Sequence, residues 1–179
     1  MRSVLDLQSN SMKSYLQRID TRTSGNRNDV TPLFADREAF RRLADDLAEP
    51  FRDTGIEAVV AIDALGFVLG TAIAERLDVG VVAARKGGKL PVPAERVEFV
   101  DYSGEPKALE IRPDVLQEGM RVLIVDEWVE TGAQVRAVIA LAERLGAEVG
   151  GIATICMDRN ENTAPLRERC AVHTVWEDD

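Results

Sequence analysis

Val122-Leu123-Ile124-Val125-Asp126-Glu127-Trp128-Val129-Glu130-Thr131-Gly132-Ala133-Gln134 carries the strongest structural signal in the chain. Four apolar residues in a row, without polar alternation, predict a strand buried on both faces, as in a covered parallel sheet. The strand ends in two adjacent carboxylates. Thr131-Gly132 then leads into a helix expected from Gly132 to Leu145 and closed by Gly146. The first turn of a helix has unpaired N–H groups and a partial positive charge, which suit a phosphate. Gly132 lets the backbone approach such a group closely. Two acids beside a phosphate would repel a bare anion. They suit ribose hydroxyls and a hard cation that bridges to further phosphate oxygens. Strand neighbours point in opposite directions, so one acid faces a sugar and the other a metal on this reading. On local physics alone a second reading stays open, in which the acids are solvated turn residues and Thr131 caps a helix.

Around this stretch, apolar runs of strand length alternate with helical patterns. A short amphipathic helix is expected over 12–20, followed by polar, turn-like sequence over 21–29. Phe40, Leu43, Leu47 and Phe51 repeat at helical spacing and predict a helix over 36–53, with Gly55 as its stop. Strands are expected over 57–62, 79–84, 121–126, 147–156 and 171–176, and a helix over 66–76. Residues 85–94 are cationic and rich in Gly and Pro, hence a loop. Residues 96–102 and 108–111 read as an antiparallel pair turned by Ser103-Gly104-Glu105-Pro106-Lys107. The sum is an α/β protein with a parallel sheet and helices on both faces. Ligands of such sheets sit at the carboxyl ends of the strands, here marked by Asp63, Arg85 and Asp126.

With 179 residues, one domain with a real core is expected. The net charge of −9 argues against nucleic acid or an anionic membrane as partner. Cys156 and Cys170 have no metal-like spacing and make a poor disulfide framework, so a reducing, cytoplasmic setting is expected. No apolar run approaches the roughly 20 residues of a bilayer span, and no signal-peptide pattern opens the chain. Residues 1–11 read as loose polar sequence, with Met12 as an alternative start. His173, the sole histidine, lies in an apolar strand and reads as structural. Neither a Gly-x-x-x-x-Gly-Lys-Ser/Thr nor a Gly-x-Gly-x-x-Gly motif follows a strand, which disfavours P-loop and Rossmann binding.

The segment 122–134 resembles the phosphoribosyl-diphosphate (PRPP) motif of type I phosphoribosyltransferases: four apolar residues, two acids, a variable stretch, then Thr-Gly-Gly-Thr. Ala133 stands for the second Gly and Gln134 for the hydroxyl residue. The resemblance spans about residues 29–156 and is nearest to adenine phosphoribosyltransferases. Asp29-Val30-Thr31-Pro32-Leu33-Phe34-Ala35-Asp36 resembles that family's lead-in to its first helix. Asp63-Ala64-Leu65-Gly66-Phe67 resembles its diphosphate loop, with Leu65 in place of Arg, and implies a cis peptide at Asp63–Ala64. Arg85-Lys86-Gly87-Gly88-Lys89-Leu90-Pro91 is similar to its cationic loop. Residues 98–111 resemble its mobile catalytic loop. Gly25-Asn26-Arg27-Asn28-Asp29 departs from its base-recognition segment.

The resemblance implies a type I phosphoribosyltransferase fold over 29–179, a β-hairpin flexible loop, and a hood built from 1–28 and the C-terminal part. It implies transfer of 5-phosphoribosyl from PRPP to adenine or a related purine, with Mg²⁺ and a homodimer. Asp126 and Glu127 would hold ribose hydroxyls and support Mg²⁺ indirectly, through PRPP and water. Glu130, Thr131, Gly132, Ala133 and Gln134 would cradle the 5′-phosphate. Asp63, Ala64, Leu65, Arg85, Lys86 and Lys89 would take the diphosphate. Asn26, Asn28 and Trp128 would meet the base, and Asp101, Glu105 or Glu130 would manage its proton. Two rivals stay open: a non-catalytic sensor of PRPP or a nucleotide, suggested by Leu65, Ala133 and Gln134, and a 6-oxopurine transferase, suggested by Glu130.

Overall fold

The computed structural model describes residues 13–24, 28–100 and 104–176. After a 3-10 turn at Lys13–Arg18 come helices α1 (Thr31–Ala35) and α2 (Arg37–Ala48). Strand β1 (Ala58–Ile62), helix α3 (Leu65–Leu77) and strand β2 (Gly80–Lys86) follow. The hairpin strands are β3 (Glu95–Val100) and β4 (Pro106–Ile111). The second half holds β5 (Arg121–Val125), β6 (Trp128–Val129), α4 (Ala133–Arg144) and β7 (Glu148–Thr154). It closes with β8 (Cys156–Met157), α5 (Ala164–Arg169) and β9 (Val172–Thr174).

One sheet runs in the order β3-β4-β2-β1-β5-β7-β9. From β2 to β9 its strands are parallel, and β4 is antiparallel to both β2 and β3. The chain leaves β1 for β2 on one side and later returns to place β5 on the other. That reversal opens a crevice at the carboxyl ends, where α/β sheets bind ligands. Ile62 lies opposite Ala84, and Ala61 opposite Val125. The register therefore brings Asp63, Arg85 and Asp126 to one edge.

Both faces of the central strands are covered. Val60, Ile62, Val122 and Ile124 pack with Leu109, Val138 and Leu141 on the α4 side. Val59, Ala61, Leu123 and Val125 pack with Leu43, Leu69 and Ile73 on the side of α2 and α3. The alternation is the period of two expected of a strand, with both faces apolar. Tyr15, Leu16 and Ile19 are buried in this second core, so the described part of 1–28 docks onto the main body. An antiparallel bridge joins Asp20 to Asp29.

Helix α3 rides close to the sheet. A Cβ on Gly70 would lie 2.7 Å from the Ala61 Cβ, and one on Gly66 would lie 2.9 Å from the Val125 carbonyl oxygen. Two glycines one turn apart thus let the start of α3 settle beside the end of β5.

Boundaries differ from the sequence expectation in several places. The helix expected over 36–53 is α2 followed by a 3-10 turn at Glu49–Phe51, because Pro50 has no N–H to continue the ladder. Asp36 is outside it and caps it, accepting from the N–H groups of Glu38 at 3.1 Å and Ala39 at 3.0 Å. The strand expected over 147–156 breaks at Ile155 into β7 and β8, and the strand expected over 171–176 shrinks to β9. Helices α1 and α5 went unforeseen, although Pro32 and Pro165 sit in their first turns, where proline is favoured.

Candidate active site

Asp126 ends β5 with its side chain buried, and accepts the Glu127 N–H on Oδ1 at 3.0 Å. A second, two-stranded sheet fixes the chain that follows. In it β6 pairs with β8, Trp128 opposite Cys156 and Val129 opposite Met157. Ile155 N–H donates to the Glu127 carbonyl at 3.2 Å, and Asp158 N–H to that of Val129 at 2.9 Å. The Trp128 indole N–H donates to Asp158 Oδ1 at 2.9 Å. Asn160 Nδ2 donates to the Glu130 carbonyl at 2.8 Å. The strand tip and its loop are thus stitched to the chain after β7.

The loop enters α4 through Gly132, whose φ of +68° favours glycine. The site needs glycine for a second reason: a Cβ there would lie 2.6 Å from the Leu166 Cδ1 of α5. The Gly132 carbonyl accepts the first helical bond, from Arg136 N–H at 2.9 Å. Thr131 Oγ1 accepts from Ala133 N–H at 3.4 Å.

The edge beyond β1 bears a cis peptide at Asp63–Ala64, as the resemblance implied. Asp63 ties this turn to β2. Its Oδ2 lies 3.2 Å from Arg85 Nε, and its Oδ1 lies 4.0 Å from Lys86 Nζ. The Arg85 guanidinium also sits 5.9 Å from the centre of the Phe67 ring. Beyond β2 the cationic loop wraps a buried carboxylate of β4. Glu110 Oε2 accepts from Gly88 N–H at 3.0 Å, and Oε1 from Lys89 at 2.8 Å and Leu90 at 2.7 Å. Burial by itself raises the Glu110 pKa. The three N–H groups and the charge of Arg96 outweigh it and hold the carboxyl below its usual range.

These parts enclose a cavity of about 700 Å³. Its floor is Asp126, Glu127 and Trp128, with Gln134 from the first turn of α4. One wall is Asp63, Ala64, Leu65, Lys86 and Gly87, and the other comes from β3 and β4. Carboxylates, a helix start and cations thus share one space large enough for a sugar phosphate and a base.

The chain matches the phosphoribosyl transferase domain family over residues 33–177. It is 48% identical over 125 residues to the adenine phosphoribosyltransferase of Dinoroseobacter shibae, covering 70% of this chain and 69% of that protein. The chain belongs to the type I phosphoribosyltransferase family. The crystal structure of the adenine phosphoribosyltransferase from Rhodothermus marinus superposes with a TM-score of 0.81 at 33% identity, covering 93% of this chain and 98% of that one. That of Saccharomyces cerevisiae, complexed with an imino-altritol bisphosphate and adenine, gives 0.79 at 25% identity, covering 94% and 99%.

In this phosphoribosyltransferase the cavity gathers eight of the residues singled out in the sequence: Asp63, Ala64, Leu65 and Lys86 on one side, Asp126, Glu127, Trp128 and Gln134 on the other. Other expected site residues sit elsewhere. Arg85 is engaged by Asp63 and Phe67 instead of lining the cavity. Lys89 is exposed, with its backbone on Glu110. Glu105, Glu130, Thr131, Gly132, Ala133 and Asn28 are also not among the described residues that line it. Asn26 and Asp101 lie outside the described residues. Sequence reasoning missed Arg96, and it gave no individual role to Glu98, Phe99 and Lys107 of the stretch likened to the catalytic loop; all four line the cavity. It also missed Glu110 as the residue under the cationic loop. Alternation in β3 puts Arg96 and Glu98 on one face, but nothing local says what that face meets. His173 sits on β9 opposite Ala153, on the far side of the sheet from β2, and Cys156 and Cys170 are not joined in a disulfide.

Proposed function

We propose that this phosphoribosyltransferase moves 5-phosphoribosyl from PRPP to N9 of adenine, giving the nucleoside monophosphate and diphosphate. The observation that carries this reading is the single cavity shared by Asp126, Glu127, Gln134 and Lys86. Cleavage of the bond from C1 to diphosphate puts positive charge on the ribose and negative charge on the leaving group. The chain acts by positioning and by charge. Asp126 and Glu127 hold the ribose hydroxyls and favour the cationic ring. The amides at the start of α4, with Gln134, hold the 5′-phosphate. Lys86 gathers charge on the diphosphate. Trp128, braced by Asp158, borders the sugar and base end. Asp101, Glu105 or Glu130 handles the base proton.

The donor set suits Mg²⁺ shared with the substrate. Hard oxygen donors are present in Asp126 and Glu127, while no group of three or more potential ligands is assembled among the described residues. Mg²⁺ bound there would offset charge on PRPP oxygens. The reading further includes a homodimer in the cytoplasm, residues 1–28 as hood and 29–179 as the transferase domain, and small-molecule partners only. The net charge of −9 supports the last point. No helix among the described residues is long and apolar enough to cross a membrane.

The test is to incubate the protein with PRPP, Mg²⁺ and a panel of purines and follow diphosphate. Adenine should release it, and Asp126→Asn with Glu127→Gln should abolish release without unfolding the protein. Binding of PRPP without release for any base would replace transfer with sensing.

A further inference from the structure

The diphosphate end of the cavity is short of the cations that the sequence assigned to it. Arg85 is committed to Asp63 and Phe67, Lys89 is outside, and Leu65 brings no charge. Lys86 alone of the three expected cations lines the space, and it lies 4.0 Å from an Asp63 oxygen. A multiply charged leaving group needs more.

We propose that Arg96 of β3 is a substrate-binding residue that grips the diphosphate of PRPP together with Lys86. The inference rests on the transfer reading above. Arg96 lines the same cavity beside Gly87. Its guanidinium carbon and Nη1 both lie 3.4 Å from where a Gly87 Cβ would be. The planar group therefore lies against the bare backbone of the cationic loop, next to Lys86, and Gly87 is what leaves room for it. Across the ladder Arg96 faces Glu110, whose buried charge favours the cation there. Arg96 pairs with Glu98 at 3.3 Å, with both side chains more than half exposed. Such a pair is weak and easily exchanged for a better one. A forked guanidinium gives two parallel donors to phosphate oxygens, which a second lysine would not.

The test is calorimetric titration of Mg²⁺-diphosphate into the full chain and into Arg96→Ala and Arg96→Lys. Losing one charge-assisted pair at a half-exposed site should weaken diphosphate binding about tenfold in Arg96→Ala. Arg96→Lys should recover part of the loss. In steady-state assays the Arg96→Ala loss should appear in the KM for PRPP, with the KM for adenine unchanged, a split that general damage to the fold would not produce. Equal diphosphate affinity in Arg96→Ala and wild type overturns the inference, and if the wild type still transfers ribose, the function above stands. Conversely, weakened diphosphate binding in Arg96→Ala with no transfer by the wild type keeps Arg96 and removes the function.

Discussion

Replacing Glu110 by Gln should loosen the cationic loop by an amount that can be worked out from its three hydrogen bonds. A carboxylate accepts from Gly88, Lys89 and Leu90 at 3.0, 2.8 and 2.7 Å. Bonds to a charged acceptor are worth about 1.5–3 kcal/mol each, against about 0.5–1.5 for a neutral one. The Gln oxygen can keep the two donors now on Oε1 at neutral strength, a loss of about 1 kcal/mol each. Its amide nitrogen would face the Gly88 N–H and lose that bond, although water can reach this exposed residue. The expected cost is about 3 kcal/mol. Urea unfolding followed by tryptophan fluorescence at neutral pH measures it, and the KM for PRPP should rise because Lys86 and Gly87 precede the freed turn. The pH dependence has a definite sign. The folded pKa of Glu110 is depressed, so its stabilisation is present above the unfolded value of about 4.3 and disappears as pH falls through the folded one. The gap between wild type and variant should therefore close in acid. A neutral-pH difference within about 0.5 kcal/mol, as for an ordinary surface change, would show that the carboxylate does not hold the loop.

Gly66→Ala should cut turnover more than it cuts stability. Its Cβ would lie 2.9 Å from the Val125 carbonyl oxygen and 3.2 Å from Asp126 Oδ1, so α3 or the end of β5 must shift. Overpacking costs about 1–3 kcal/mol, partly offset by about 1 kcal/mol of helix propensity; full activity in the purified variant would disprove the close approach. Tyr15 donates to Asp46 at 2.6 Å, and burial, that bond and the Asp46 charge all push its phenol well above the usual value. It should stay protonated in the folded protein at pH 11, read as the ultraviolet difference between wild type and Tyr15→Phe. The stability it lends is complete below the unfolded value of about 10 and is lost as pH rises beyond it, so the variant should show a flatter alkaline slope. An ordinary Tyr15 titration in folded protein would remove that account.

The amino-acid sequence by itself determined the strand tip and its helix. The run 122–125 is apolar at both strand parities, so it could only lie inside a covered sheet, and Asp126, Glu127 and Gly132 follow from chain adjacency. The alternation of strands and helices set the α/β class in the same local way. Tertiary structure alone decided which charges face the cavity. Arg85, Lys86 and Lys89 look equivalent along the chain, yet Asp63, 22 residues from Arg85, draws that side chain aside. Glu110, about 20 residues from the loop, turns the backbone of Lys89 toward itself. Arg96 enters the cavity because β3 pairs with β4 and Gly87 has no side chain to keep it out. Backbone conformation and burial are written into neighbouring residues, whereas the partner of a long charged side chain depends on which distant elements the fold brings within a few ångströms.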